Sequence, residues 1–177
     1  FSRRELKRGG LDYLDLAEAI EHKGGSINAS TGYEHTRFEV RGLNSLMPLA
    51  LEIVTDLMFR PAIDAEELGR EKKVVEQEIL EAYDTPDDHV FDLLQSAMFA
   101  GQPLGRPILG TKQSLKPVTP DALRAFAETL YAPHQIVVCV SGGVVPEEVY
   151  AALKPRVENV APHAGFGKPV QMRFTTE

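Results

Sequence analysis

Apolar residues recur along the chain first at helical and then at strand spacing. Leu11, Leu14, Ala17 and Ile20 return once per turn and the run ends at Gly24-Gly25, which predicts a first helix stopped by a glycine pair. Ser26 to Thr31 and Thr36 to Arg41 flank Gly32-Tyr33-Glu34. In the second run Thr36, Phe38 and Val40 alternate with Arg37, Glu39 and Arg41, so an antiparallel hairpin with one packed and one wet face is expected. Leu46, Leu49, Ala50, Ile53, Val54 and Leu57 mark a second helix, capped by Asn44 and closed before Pro61.

Asp64, with Glu67 three positions on, has the form of an N-cap with its capping-box partner and opens a long third helix running to about Tyr83. After Asp84-Thr85-Pro86 a fourth helix holds Val90, Phe91, Leu94 and Met98, and Gly101 to Pro107 is rich enough in Gly and Pro to be loop. Thr119 and Pro120 start a fifth helix with Leu123, Phe126, Ala127 and Leu130 inward. Gln135 to Ser141 is an apolar strand, in which Cys139 is expected as a small buried hydrophobe. A sixth helix begins at Pro146, residues 158–177 read as a linker or a last strand, and Val170 to Phe174 is the candidate for that strand. This order fits an α+β fold, with helices packed on a mostly antiparallel sheet, better than a doubly wound one.

Composition narrows the function classes. The 177 residues carry 26 acidic against 19 basic side chains, a formal charge of -7, so the electrostatic footprint of a nucleic-acid binder is missing. No apolar stretch approaches the ~20 residues of a membrane span, and the chain reads as soluble with its compartment open. It starts Phe1-Ser2-Arg3-Arg4 without Met, from which processing or truncation is expected. Gly142-Gly143 and Gly9-Gly10 match neither a P-loop nor a dinucleotide loop.

Candidate chemistry sits on the third helix. At ~100° per residue, Leu68, Val75, Ile79 and Ala82 share one side with Val74 at its far edge, and Glu71 and Glu78 fall between these apolar limits. Seven residues apart, the two stack on one face. Two carboxylates inside a core-facing arc cost free energy unless a metal, a cation or donors compensate them. The competing reading puts both at the edge of the stripe, reaching water. A zinc peptidase needs three protein ligands, a position for water and a carboxylate to take its proton. Around His22, His35, His89, His134 and His163 no second histidine stands four residues away. Glu18-Ala19-Ile20-Glu21-His22 has a glutamate where the first histidine of an inverted motif would be, and reads as the polar end of the first helix. His89 reads as helix-start decoration and His134 as a turn residue, and no serine stands in a G-x-S-x-G context.

Four segments in order carry a resemblance. Gly24-Gly25-Ser26-Ile27-Asn28-Ala29-Ser30-Thr31 followed by Glu34-His35-Thr36 resembles the "GG-x-x-NA-x-T … E-x-T" strand pair of the inverted-motif zinc metallopeptidases. These are pitrilysin, insulin-degrading enzyme and mitochondrial processing peptidase. Glu71 to Ile79, closing at Asp84-Thr85-Pro86, is similar to that family's distal glutamate helix. Pro103 to Thr111 resembles its "PLG-x-PILGT" loop, and Tyr131-Ala132-Pro133 its "Y-x-P-x-N" junction.

The resemblance implies a metallopeptidase half-domain of the mitochondrial processing peptidase type: residues 1–157 as an incomplete N-terminal peptidase-like domain, residues 158–177 leading to a second. Glu78 matches the third zinc ligand and Glu71 a carboxylate behind the ligands that orients them. Asn28 and Ala29 match the edge strand on which an extended peptide is laid. On spacing alone Asn28 is a turn or strand-edge polar residue. The family's H-x-x-E-H, with two histidine ligands and the proton-accepting glutamate, falls at or before Phe1, where this sequence has Phe1-Ser2-Arg3-Arg4-Glu5. The intact protein is therefore expected to be a zinc metalloendopeptidase working with a second similar domain or subunit, in a homo- or heterodimer. The 177 residues alone are expected to be inactive. A non-catalytic subunit or domain of the same family, or an interaction domain with the same fold, is the alternative.

Overall fold

A computed structural model of the chain describes residues 18–158 and 160. The expected start of the first helix at Leu11, Leu14 and Ala17, His163, and the Val170 to Phe174 strand lie outside the described residues. Packing divides the chain into two compact units. Among the described residues one unit holds Ala29–Arg37 and Ile63–Pro120, and the other holds residues 18–28, Phe38–Ala62 and the chain from Asp121.

In the second of these units, residues 18–21 are helical and the helix stops as expected, with Gly24 at φ 74° and the Gly25 amide donating to Ile20 O at 3.0 Å. A Cβ on Gly25 would stand 2.6 Å from Arg41 O, so only glycine lets the backbone begin β1 here. Strands β1 (Ser26–Thr31) and β2 (Thr36–Arg41), of which Ala29–Arg37 belongs to the other unit, form a two-stranded antiparallel sheet with the expected bounds, and the Gly32 amide closes the turn on His35 O at 2.8 Å. Helix α1 (Met47–Phe59) follows a 3-10 turn at Asn44–Leu46. Ile20, Leu46, Ile53 and Leu57 form a buried cluster against which Ile27, Phe38, Val40 and Leu49 pack, so the inward residues of β2 are those the alternation predicted. The other flank of α1 buries Leu51 against Val149 and Leu153 of a helix at Pro146–Glu158. Each fully buried aliphatic side chain there contributes about 1.5–3 kcal/mol. Arg156 Nη2 stands 3.5 Å from Glu52 Oε2 across the same contact. The Thr55 hydroxyl, buried inside α1, donates to Leu51 O at 2.8 Å.

In the other unit, α2 (Ala65–Asp84) begins where expected, with Asp64 Oδ1 accepting from the amides of Glu66 at 2.8 Å and Glu67 at 3.1 Å. Helix α3 (Pro86–Met98) follows after Thr85. The glycine- and proline-rich loop contains a 3-10 turn at Pro103–Gly105, and a one-turn helix α4 (Lys112–Leu115) is closed by reciprocal Thr111 and Ser114 capping bonds of 3.1 and 2.9 Å. Helix α5 (Pro120–Leu130), from Asp121 on, and the Pro146–Glu158 helix, α6, belong to the unit around α1 and complete the order.

Several expectations are corrected. Asn44 is not the cap of α1: Leu46 precedes the helix already in helical conformation, φ -86° and ψ -11°, so the 3-10 turn leads straight into α1 without an extended capping residue. Gln135 to Ser141 is not a strand. A 3-10 turn occupies Pro133–Gln135, Ile136 is extended at φ -103° and ψ 134°, and among the described residues no strand lies beside the run to form a ladder. Cys139 is consequently exposed rather than buried, and Val137 is 86% exposed. On α5, Phe126 and Leu130 are exposed rather than inward, although the Phe126 ring still meets Tyr131 edge-on at 6.5 Å, and Tyr131 meets Phe38 at 6.2 Å.

Ile53→Ala is expected to lower stability by about 2–5 kcal/mol through cavity formation. Asp64→Ala removes the α2 cap and is expected to cost about 1 kcal/mol. Both are read from the midpoint and slope of denaturant unfolding.

Candidate metal and substrate site

Helix α2 sets the geometry of the candidate ligands. Leu68 and Ile79 are buried and Val75 and Ala82 half-buried, which fixes the inward side of the helix. At ~100° per residue Glu71 and Glu78 lie about 60° and 80° from Leu68, at the margin of that stripe. Glu71 is half-buried and Glu78 exposed. Val74, expected at the far edge of the apolar arc, is 47% exposed, so the buried stripe is narrower than the sequence suggests, with Glu71 half-buried at its margin and Glu78 outside it. Seven residues of helix put the two Cα atoms roughly 10 Å apart along the axis.

Two interactions on these elements were invisible to periodicity, and a third, the Arg70 pairing, follows from helical spacing. Lys72, half-buried beside Glu71, donates from Nζ to Lys116 O at 3.0 Å and Val118 O at 2.6 Å, tying α2 to the segment after α4. Arg70 pairs with both Glu66 and Glu67 on the first turns of α2. At the hairpin tip, Tyr33 Oη donates to Asp92 Oδ1 of α3 at 3.3 Å. Partial desolvation, then the Asp92 charge and this hydrogen bond, hold the Tyr33 phenol above its ordinary 10.0. The partners of Lys72 and Tyr33 lie 44 to 59 positions away, where no local pattern in the sequence points.

Asn28 and Ala29 stand exposed in the middle of β1, Ala29 in the unit that contains α2 and Asn28 in the other. His22 Nδ1 lies 2.9 Å from Glu18 O, in keeping with the polar end of the first helix. The His89 ring packs on Tyr83 at 4.6 Å, and His35 is exposed near the hairpin turn. Among the described residues no group of three or more His, Cys, Asp or Glu side chains is placed to hold a metal ion. These residues by themselves therefore do not fit a zinc site; they offer one donor at the edge of α2. Among the described residues no helix is long and apolar enough to cross a membrane.

Removing the Lys72 ammonium leaves two main-chain carbonyls without that donor, and Lys72→Met is expected to cost about 1–3 kcal/mol in denaturant unfolding. Tyr33 is expected to titrate above ~10 and to return part way in Asp92→Asn, by ultraviolet difference titration. Because the folded-state value is the higher one, the native state favours the protonated phenol. Its contribution to stability is complete below the unfolded-state value and is lost as pH rises through the folded-state value.

Residues 11–112, more than half of the chain, match the sequence profile of the insulinase family, peptidase family M16. YmxG of Bacillus subtilis, named an uncharacterized zinc protease, is 37% identical over 130 residues, covering 73% of this chain and 32% of the relative. ML0855 of Mycobacterium leprae, also named an uncharacterized zinc protease, is 34% identical over 141 residues, covering 80% and 32%. The chain thus spans about a third of the length of these curated relatives. A protease from Helicobacter pylori shares the fold at a TM-score of 0.83 and 20% identity, over 97% of this chain and 41% of that one. An inactive M16 peptidase domain from Pseudomonas fluorescens shares it at 0.78 and 18%, over 93% and 41%. The α+β architecture is accordingly that of M16-like peptidases, and the chain belongs to the insulinase family of peptidases.

Proposed function

We propose that this chain is one part of a zinc-dependent metalloendopeptidase, in which Glu78 supplies one zinc ligand and Glu71 steadies the ligand set from behind. The observation that carries the reading is the pair on α2: two carboxylates on one side at the margin of the buried stripe, Glu71 half-buried and Glu78 open to solvent where a ligand shell from other polypeptide can reach it. Its support is the zinc protease naming of relatives at 34–37% identity. The unequal exposure of the two, Glu78 open and Glu71 half-buried, suits unequal roles, one on the metal and one behind it.

The remaining ligands and the proton-accepting carboxylate would come from outside the described residues. On this reading the 177 residues alone bind zinc poorly and do not hydrolyse peptides. Strand β1 has β2 as its sheet neighbour among the described residues, and the exposed Asn28-Ala29 stretch would take an extended peptide by strand addition. A second similar domain or subunit would complete the chamber, consistent with relatives about three times as long as the stretch matched.

A second reading, a non-catalytic domain that keeps the fold, has one observation in its favour: the same fold occurs in a domain named inactive. Zinc content of the full-length protein separates the two. Glu78→Gln in that protein is expected to lose stoichiometric zinc by elemental analysis while circular dichroism keeps its helical signal. Glu71→Gln is expected to weaken zinc binding about 10–100-fold. Full zinc retained by Glu78→Gln would remove it from the ligand set, and a full-length protein that binds no zinc and cleaves no peptide would favour the second reading.

A further inference from the structure

Helix α2 is fastened on the margin opposite its two glutamates. At ~100° per residue and measured from Leu68, Val75 and Ile79 lie within about 20° of the middle of the buried stripe. Lys72 stands about 40° to one side of it, and Glu71 and Glu78 about 60° and 80° to the other. Lys72 is half-buried, and its ammonium donates to Lys116 O at 3.0 Å and Val118 O at 2.6 Å. Those carbonyls belong to an anchored segment: they follow α4, which is closed by the Thr111 and Ser114 capping bonds, and the Val118 amide donates to Leu115 O at 3.2 Å. All of these residues lie with α2 in one compact unit. The helix therefore cannot turn about its own axis without breaking the Lys72 bonds.

We propose that Lys72 is a positioning residue, whose grip on the two carbonyls after α4 sets where the Glu71 and Glu78 carboxylates stand. The proposal rests on the reading of Glu78 as a metal ligand and concerns what holds that ligand in place. Side-chain tips stand ~5–6 Å from a helix axis, so a turn of about 20° carries a carboxylate roughly 2 Å. That is the length of a whole zinc–oxygen bond, whereas a working site tolerates about 0.5 Å. Apolar burial is non-directional and resists such a turn weakly; charge-assisted hydrogen bonds to two fixed carbonyls resist it strongly. The sign of the effect separates this role from a purely electrostatic one. Removing a positive charge near Glu78 by itself favours a bound cation, whereas releasing the helix weakens its hold on one.

In the full-length protein, Lys72→Met and Lys72→Gln, the latter too short to reach both carbonyls, are expected to bind zinc about tenfold more weakly by chelator competition, with the helical circular dichroism signal kept. Tyr33→Phe, which removes a hydrogen bond elsewhere in the same unit, is expected to leave the affinity within about twofold, so general loosening is told apart from positioning. A second readout needs no zinc. In a Cys139→Ser background, nitroxides at Glu78→Cys and Gln113→Cys are expected to shift or broaden their separation by about 2 Å when Lys72→Met is added, by pulsed electron paramagnetic resonance. Zinc affinity unchanged or tightened in both Lys72 variants, in a protein whose Glu78→Gln variant has lost zinc, overturns the inference and leaves the zinc reading standing. Zinc kept by Glu78→Gln overturns the zinc reading instead. The nitroxide separation then decides for Lys72 alone, and an unchanged separation overturns its role.

Discussion

A two-stranded hairpin in water has too little apolar face to persist alone, and everything in the unit around β1 and β2 depends on how that face is covered. Helix α1 does so with Ile53 and Leu57, joined by Ile20 and Leu46, over Ile27, Phe38 and Val40. The same helix is held from its other flank by Val149 and Leu153. Register follows from this, because a slip of one residue would turn Phe38 and Val40 to solvent and Arg37, Glu39 and Arg41 into the contact. Asn28, on the strand face opposite Ile27, is thereby turned outward.

Helix α2 obeys a related constraint. Its rotation is set by Leu68 and Ile79 inward and by Lys72, whose ammonium is spent on two carbonyls after α4. Once those are placed, Glu71 and Glu78 have no freedom to be elsewhere than at the margin of the stripe. A carboxylate there avoids the penalty of full burial and stays reachable. The Lys72 bonds and the Asp64 cap hold the helix in that rotation without help from any bound group.

Apolar surface left open on α3 and along residues 136–140 has one physical origin. Both segments carry the residues of a buried element, and among the described residues neither meets enough apolar surface to bury them.

Much of the local chemistry was legible from residues alone where the deciding partners were near in sequence, the Asn44 cap being the exception. The hairpin bounds, the Gly24-Gly25 stop, the Asp64 cap and the start of α6 at Pro146 each depend on dihedral preference or on a bond a few positions away, and the structure keeps them. The α+β class follows from their order. Tertiary structure alone decided which apolar runs found a neighbour. Residues 136–140 have strand composition but no ladder, Cys139 is open, and Phe126 and Leu130 stay at the surface. The same holds for Lys72 and for Tyr33 with Asp92, whose partners lie 44 to 59 positions away. Periodicity records which face a residue shares; whether another surface arrives to cover that face is a property of the folded chain and its full complement of neighbours.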